Sequence, residues 1–518
     1  MTLVGPQRGP LADELRVIRR RDWAAVGIVA VVAAGVVLRF LSRGPLWLDE
    51  AQSVAIAKHS FGALPAALKH DGAPPLYYAL LHLWMQVFGD STFSVRTLSG
   101  IPAVLSLPVV VRLGRRIGGD AVGIASVVLL AISPFAVRYA VETRMYSLLM
   151  LLSLAGAHAV LSVHRHGTKR ATAGLAAVTA AALYTHYYAV FAVGVLGAGE
   201  LWLAWRRRDP AARRALLALV IGSVAFLPWV PILLYQSKHT GAPWAPPPDG
   251  SAVLDTIDAW MGGENAAAQI AALVALAAVV IALIGRRGGR GHVVLTTTFA
   301  RLPSRLLAAA LGALVIAIVV DAADQQAYAP RYLAMSAGLF LVVVACGIAV
   351  LPTRRARRAM LAVLVVAELS ICLQNAWQPR SQAGLVAAVL DHQARPGDVI
   401  VYCPDQLGPQ TARLTHTGVR QFVFPNFAGP AVVDWVDYRE RIETADPQRF
   451  ARQVSAMAGA HTVWLVWSLQ VKPLTNDCGG VIDNLVALRG IPKQPVRRDP
   501  SYNETMSLNE YGPPTDAN

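Results

Sequence analysis

The stretch RRRDWAAVGIVAVVAAGVVLRFL, Arg19 to Leu41, followed closely by Leu46-Trp47-Leu48-Asp49-Glu50, decides how the chain is read. Trp23 to Leu41 is close to the roughly 20 apolar residues that a bilayer crossing needs, and three arginines precede it with no apparent cleavage signal. It reads as a signal anchor, with segment 1–22 left in the cytoplasm. Two adjacent carboxylates then follow a few residues beyond its outer end, beside a tryptophan of the kind that sits at a membrane surface.

Working outward, the rest of the chain repeats this pattern. Its 518 residues are 55% hydrophobic and only 15% charged, too apolar for an ordinary soluble protein. Apolar runs at 23–41, 92–111, 119–137, 145–163, 171–188, 189–205, 215–234, 267–285, 306–320, 332–351 and 359–376 predict about 11 transmembrane helices in a polytopic α-helical membrane protein. Another run, Pro74 to Phe88, is short and opens with two prolines. If it spanned, Arg112, Arg115, Arg116 and every later arginine-rich loop would face outward, against the positive-inside rule. If it lies along the interface instead, 25 of the 47 Lys and Arg residues fall on the cytoplasmic side. Residues 42–91 are therefore expected to form one long external loop with juxtamembrane helices, in a multi-pass plasma-membrane protein with its N-terminus inside and C-terminus outside. The net charge of +15 is dealt out between apolar runs rather than gathered on one face, so no nucleic-acid partner is expected.

From about residue 377 the composition changes. Asp398 to Tyr402 and His461 to Trp467 have the make-up of strands, and 382–394 and 447–459 have helical spacing. Segment 377–518 is accordingly expected to be a small extracytoplasmic α/β domain beyond a transmembrane unit spanning 23–376. Cys403 and Cys478 lie in it and could form a disulfide outside the cell. Cys346 and Cys372 fall in apolar runs, where thiols act as small hydrophobes.

With this topology the polar groups needing an account all lie externally: Asp49-Glu50, His70-Asp71, Arg138, Glu142-Thr-Arg144-Met-Tyr146, Tyr184 to Tyr188 around His186, Asp321, Asp324 and Arg331-Tyr332. Each has an ordinary reading: a helix cap for Asp49-Glu50, interface anchors for Glu142 and Arg144, an aromatic-belt residue for His186, a turn former for Asp71. Together they suit one chemistry. A sugar carried on a lipid phosphate puts its tail in the bilayer and its sugar-phosphate at the outer surface. Displacement at its anomeric carbon needs a carboxylate to take the acceptor's proton and guanidinium or phenolic groups to stabilise the departing phosphate.

The same residues resemble the GT-C superfamily of membrane glycosyltransferases, especially bacterial relatives of the dolichyl-phosphate-mannose protein mannosyltransferases and of the lipid A aminoarabinose transferase. The resemblance runs through Asp49-Glu50, His70 with Pro74-Pro75-Leu76-Tyr77, Phe93-Ser-Val-Arg96, Ser133-Pro134, Glu142-Thr-Arg144-Met-Tyr146 and Arg331-Tyr332, across roughly 23–350. It implies a polyprenyl-phosphate sugar donor, mannose or a pentose first, an acceptor glycan, lipid or protein, and transfer with inversion. It also implies Asp49 as catalytic base with Glu50 beside it, and Arg331 and Tyr332 at the donor phosphate, where Arg144 is expected to join them because a planar guanidinium suits phosphate oxygens. Glu142, His70, Asp71 and His186 are expected at the acceptor or an assisting metal. Where the family often carries Lys or Arg near the first pair or the proline motif, this chain has Gln52, Ser53 and Ala73, and Lys58 is the candidate to compensate. A divalent metal is left open. The rival readings are a multi-span transporter or flippase of a lipid-linked sugar, and a noncatalytic membrane anchor.

Overall fold

The structure is a computed structural model that describes residues 10–514, except 43, 242–246, 325–327 and 471–473, with side chains from 23 onward and that of 290 left out. Residues 1–9 of the expected cytoplasmic segment and 515–518 of the tail lie outside it. A layer of long apolar helices carries a smaller α/β layer at one end, and the first-loop helices lie between them.

Among the described residues, eight helices are long and apolar enough to cross a membrane, or nine if Asp120–Ile132 and Pro134–Ala140 are one bent span. The expected eleven included two stretches that fall short of that length. The apolar part of the first helix ends at Leu38, and Lys169–Thr185 has 17 residues. Leu76–Phe88 is a 13-residue helix, well below spanning length. Apolar side chains on the helices' outer faces, such as Val29, Leu273 and Val366, are 67–70% exposed, as lipid-facing residues are. The chain is a membrane-embedded helical protein.

The helix Ala334–Val350 runs through the middle of the bundle and is buried almost all round. A Cβ on Gly347 would overlap the Ala278 carbonyl, so glycine lets this helix close onto Ala266–Ile284, as small residues do in membrane helix pairs. The 55° bend lies at Ser133-Pro134. Proline has no N–H for the Leu130 carbonyl and disturbs that of Ala131. Arg39 fills the gap: its guanidinium donates to Leu130 O at 2.6 Å and to the oxygens of Gly35 and Ala131. A charged residue in the first span is thereby accounted for without solvent.

The α/β layer holds a five-stranded sheet. After a small hairpin of β1 (Gly285–Arg287) and β2 (Val293–Leu295), the strands are β3 (Val399–Cys403), β4 (Arg420–Val423), β5 (Val463–Trp467), β6 (Lys493–Val496) and β7 (Ser507–Tyr511), in sheet order β4-β3-β5-β7-β6. β3 runs parallel to β4 and β5, and β7 antiparallel to β5 and β6. Helices Ala383–Gln393, Pro447–Ala458 and Thr475–Arg489 complete the layer, and a Cys403–Cys478 disulfide joins β3 to the last of them.

This layer is pinned to the first loop. The Gln52 side chain exchanges hydrogen bonds of 2.8 Å with both backbone groups of Val433, and Trp435 N–H donates to His70 O at 2.9 Å. Arg380 pairs with Glu142 at 2.6 Å. These contacts hold the first-loop helix Leu48–Ala57 between the two layers.

Candidate active site

Asp49 and Glu50 occupy the first turn of Leu48–Ala57, where carboxylates are favoured by the helix dipole. Consecutive helical residues point about 100° apart, and the pair separates accordingly. Asp49 opens into a cavity of about 350 Å³ at the end of the bundle nearest the α/β layer. Glu50 turns the other way and is fully buried. Arg96 grips it with both ends of the guanidinium, at 2.8 and 2.6 Å, and the Thr143 and Trp47 N–H groups donate to it at 2.9 and 3.3 Å. Burial alone would raise its carboxyl, but Arg96 overrides that and holds it below the ordinary value. Sequence reading set Glu50 beside the base; here both its oxygens are committed and it does not reach the cavity.

Three segments complete the cavity wall. The turn after the bent span brings Arg144, whose Nη1 donates to Ser53 Oγ at 3.1 Å and to Tyr78 OH at 3.3 Å. The link His186–Tyr188 brings His186, which is buried and, through that burial and the nearby Arg144 and Arg331, lowered to about 3, hence a neutral imidazole. Its Nδ1 accepts the Tyr188 N–H at 3.2 Å. The turn Pro330–Leu333, which leads into the central helix, brings Arg331 and Tyr332. Arg331 Nη2 stands 3.7 Å from Asp49 Oδ2, a Coulombic contact longer than a hydrogen bond. Its guanidinium also lies over the rings of Trp47 and Tyr332, at 5.9 and 5.6 Å.

Three donors around this cavity are left over. The Nε–H groups of Arg144 and Arg331 and the Tyr146 hydroxyl are buried and, among the described residues, have no hydrogen-bond partner. An unmade buried hydrogen bond costs about 1–3 kcal/mol, more for charged groups, so an anion that accepts from them is favoured. Asp71, at the far wall, accepts from Gln52 Nε2 at 3.2 Å and from the Tyr78 hydroxyl. Gly72 beside it has φ +81°, and a Cβ there would meet Thr240 Oγ1 at 2.9 Å, so this close turn needs glycine.

The cavity therefore gathers Asp49, Asp71, Arg144, His186, Arg331 and Tyr332. It leaves out Glu50, Glu142, His70 and Lys58. Glu142 is buried against Arg380, His70 bonds Asp434 at 2.8 Å, and Lys58 pairs with Asp90 at 2.8 Å, more than half exposed. Lys58 thus does not supply the missing first-loop cation. Sequence reading gave no role to Tyr188, whose hydroxyl donates to Asp321 at 2.6 Å in the cavity wall, or to Trp435, which reaches it from the α/β layer. Tyr188 and Asp321 stand in external polar stretches, whereas nothing in the sequence near Trp435 signals the site. Among the described residues no three His, Cys, Asp or Glu side chains come together at metal-binding spacing.

This architecture is the GT-C fold of membrane glycosyltransferases. The family model for dolichyl-phosphate-mannose-protein mannosyltransferase matches residues 72–232, less than half the chain and without Asp49 or Arg331. The chain is similar over 94% of its length, and 98% of the other's, to the crystal structure of ArnT from Cupriavidus metallidurans bound to undecaprenyl phosphate, with TM-score 0.60 and 12% identity. The apo form of that protein matches with the same TM-score and coverage at 13% identity. The arabinofuranosyltransferase AftD from Mycobacteria matches 96% of the chain at TM-score 0.53 and 18% identity, the chain spanning 40% of that protein. No curated protein matches it in sequence.

Proposed function

We propose that the chain transfers a sugar, mannose or a pentose, from a polyprenyl-phosphate donor to an acceptor hydroxyl on the outer face of the plasma membrane, with inversion. The observation that carries this is a cavity in which a partly exposed carboxylate, Asp49, faces Arg331 and Arg144, whose buried Nε–H groups have no partner among the described residues.

Asp49 takes the proton of the acceptor hydroxyl as its oxygen attacks the anomeric carbon. The bond from that carbon to the phosphate oxygen breaks, and polyprenyl phosphate departs with the electron pair. Arg144 and Arg331 stabilise the charge on the departing phosphate, with the Tyr146 hydroxyl as a neutral donor. His186, uncharged at neutral pH, accepts rather than repels and braces Tyr332 and Tyr188 by ring contacts of 5.6 and 5.4 Å. The undecaprenyl phosphate in the structurally similar ArnT supports a lipid phosphate as donor carrier. The outward orientation is supported by the arginine-rich loops and by the Cys403–Cys478 disulfide, since disulfides persist outside the reducing cytosol.

The test is turnover of purified protein with a panel of polyprenyl-phosphate sugars, mannose and arabinose donors first. Sugar transfer or release from one donor is expected. Uptake of solute into proteoliposomes without lipid-linked sugar, and no turnover of any donor, would replace the enzyme by a transporter.

A further inference from the structure

A second cavity, of about 320 Å³, lies between the α/β layer and the start of the first-loop helix. From the membrane side it is lined by Trp47, Arg138 and Arg331; from the α/β layer by Gln470, Asn503 and Glu504. It shares Leu48 and Arg331 with the Asp49 cavity, so the two meet at the residue before Asp49 and at the cation facing it.

We propose that this second cavity is the acceptor site and that it takes a sugar ring of a glycan or glycolipid. The inference rests on the proposed transfer reaction. In an inverting displacement the acceptor oxygen and the departing phosphate oxygen stand on opposite sides of the anomeric carbon. Two cavities on either side of Leu48 and Arg331, with Asp49 at their junction, meet that demand.

The lining matches a sugar. Among the described residues Trp47 Nε1–H and Glu504 Oε2 are buried without hydrogen-bond partners. Among the described residues the Arg138 guanidinium has no hydrogen-bond or ion-pair partner, nor does the Asn503 side chain. Hydroxyls both donate and accept, so a polyhydroxyl ring satisfies this set whether the Glu504 carboxyl, raised by burial to about 7, is ionised or protonated. The volume is at the lower end of the roughly 300–1,000 Å³ of small-molecule sites. Neither edge strand, β4 nor β6, lines the cavity, so a peptide added to the sheet edge would not reach it.

The experiment uses the full chain in detergent, with methyl glycosides of mannose, galactose and arabinofuranose as probes and an N-acetylated serine/threonine peptide as the rival. Binding is read by saturation-transfer NMR. At least one methyl glycoside is expected to bind, at least tenfold more weakly to Asn503→Trp, which fills the cavity, and a few-fold more weakly to Asn503→Ala. Asn503 is exposed, so both variants should fold, and both should bind undecaprenyl phosphate as the native chain does. No glycoside binding, glycoside binding indifferent to Asn503→Trp, or binding of the peptide at this cavity instead would overturn the inference. Failure of the native chain to bind undecaprenyl phosphate would instead sink the donor reading, which separates the two.

Discussion

Asp49 and Glu50 are neighbours in sequence and face two different regions. Glu50 itself is fully paired: Arg96 holds both oxygens, two backbone N–H groups add to it, and Arg96 in turn donates to the Gly44 and Pro45 carbonyls. Around Asp49 the groups are held apart, with a cation at 3.7 Å and donors left over. A closed ion pair fixes geometry and has no capacity left for a ligand; an open one has that capacity but contributes little to stability. The first-loop helix uses one carboxylate for each purpose.

The largest effect should come from breaking the closed side. Glu50→Gln leaves Arg96 buried without its counter-ion, and removing one partner of such a pair costs about 3–5 kcal/mol. The variant is expected to give little folded protein, as read by size-exclusion yield and thermal melting. Recovery of a stable but inactive Glu50→Gln protein would return Glu50 to the chemistry.

On the open side, Arg331→Lys keeps the charge and loses the planar fork. Transfer is expected to fall by roughly 10²-fold with melting almost unchanged, since Arg and Lys are not equivalent at a phosphate. A rate within twofold of the native enzyme would mean that Arg331 does not meet the phosphate.

The smallest effect concerns Glu504, which donates nothing to the closed pair but accepts the Leu48 N–H at 3.3 Å. Burial raises its carboxyl to about 7, against the favourable hydrogen bonds from Ser381 and Leu48. A carboxyl raised on folding holds its proton longer in the native state, so stability is lost as pH rises from the unfolded value, about 4.3, through 7. Glu504→Gln should therefore melt on the order of 2 °C higher relative to the native chain at pH 8 than at pH 4.5. A gap that is constant with pH would show that Glu504 is not the titrating group.

The membrane character, the short helix Leu76–Phe88 and the gathering of polar groups at one end of the bundle were legible because they rest on run length and charge bias, which are local. β3 and β5 lie on the two stretches read as strands, Asp398 to Tyr402 and His461 to Trp467. β4, β6 and β7 carry Arg420, Lys493 and Glu510 and gave no comparable signal. The site was legible as a set of residue types on one side. What separated Asp49 from Glu50 was Arg96, 46 residues away, and what removed Lys58 and His70 was pairing with Asp90 and Asp434. Long-range partners leave no trace in local pattern. The first shortfall in the span count has the same character: the helix ends at Leu38, just before Arg39, whose guanidinium is held by the Leu130 and Ala131 carbonyls of another helix.

The most direct measurement is sugar transfer by Asp49→Asn in the purified full chain, alongside its melting temperature and its binding of undecaprenyl phosphate. Removing the base while keeping shape and hydrogen-bonding size should lower the rate by roughly 10³-fold or more, with melting and lipid-phosphate binding retained. Transfer at the native rate by a folded Asp49→Asn protein would contradict the account.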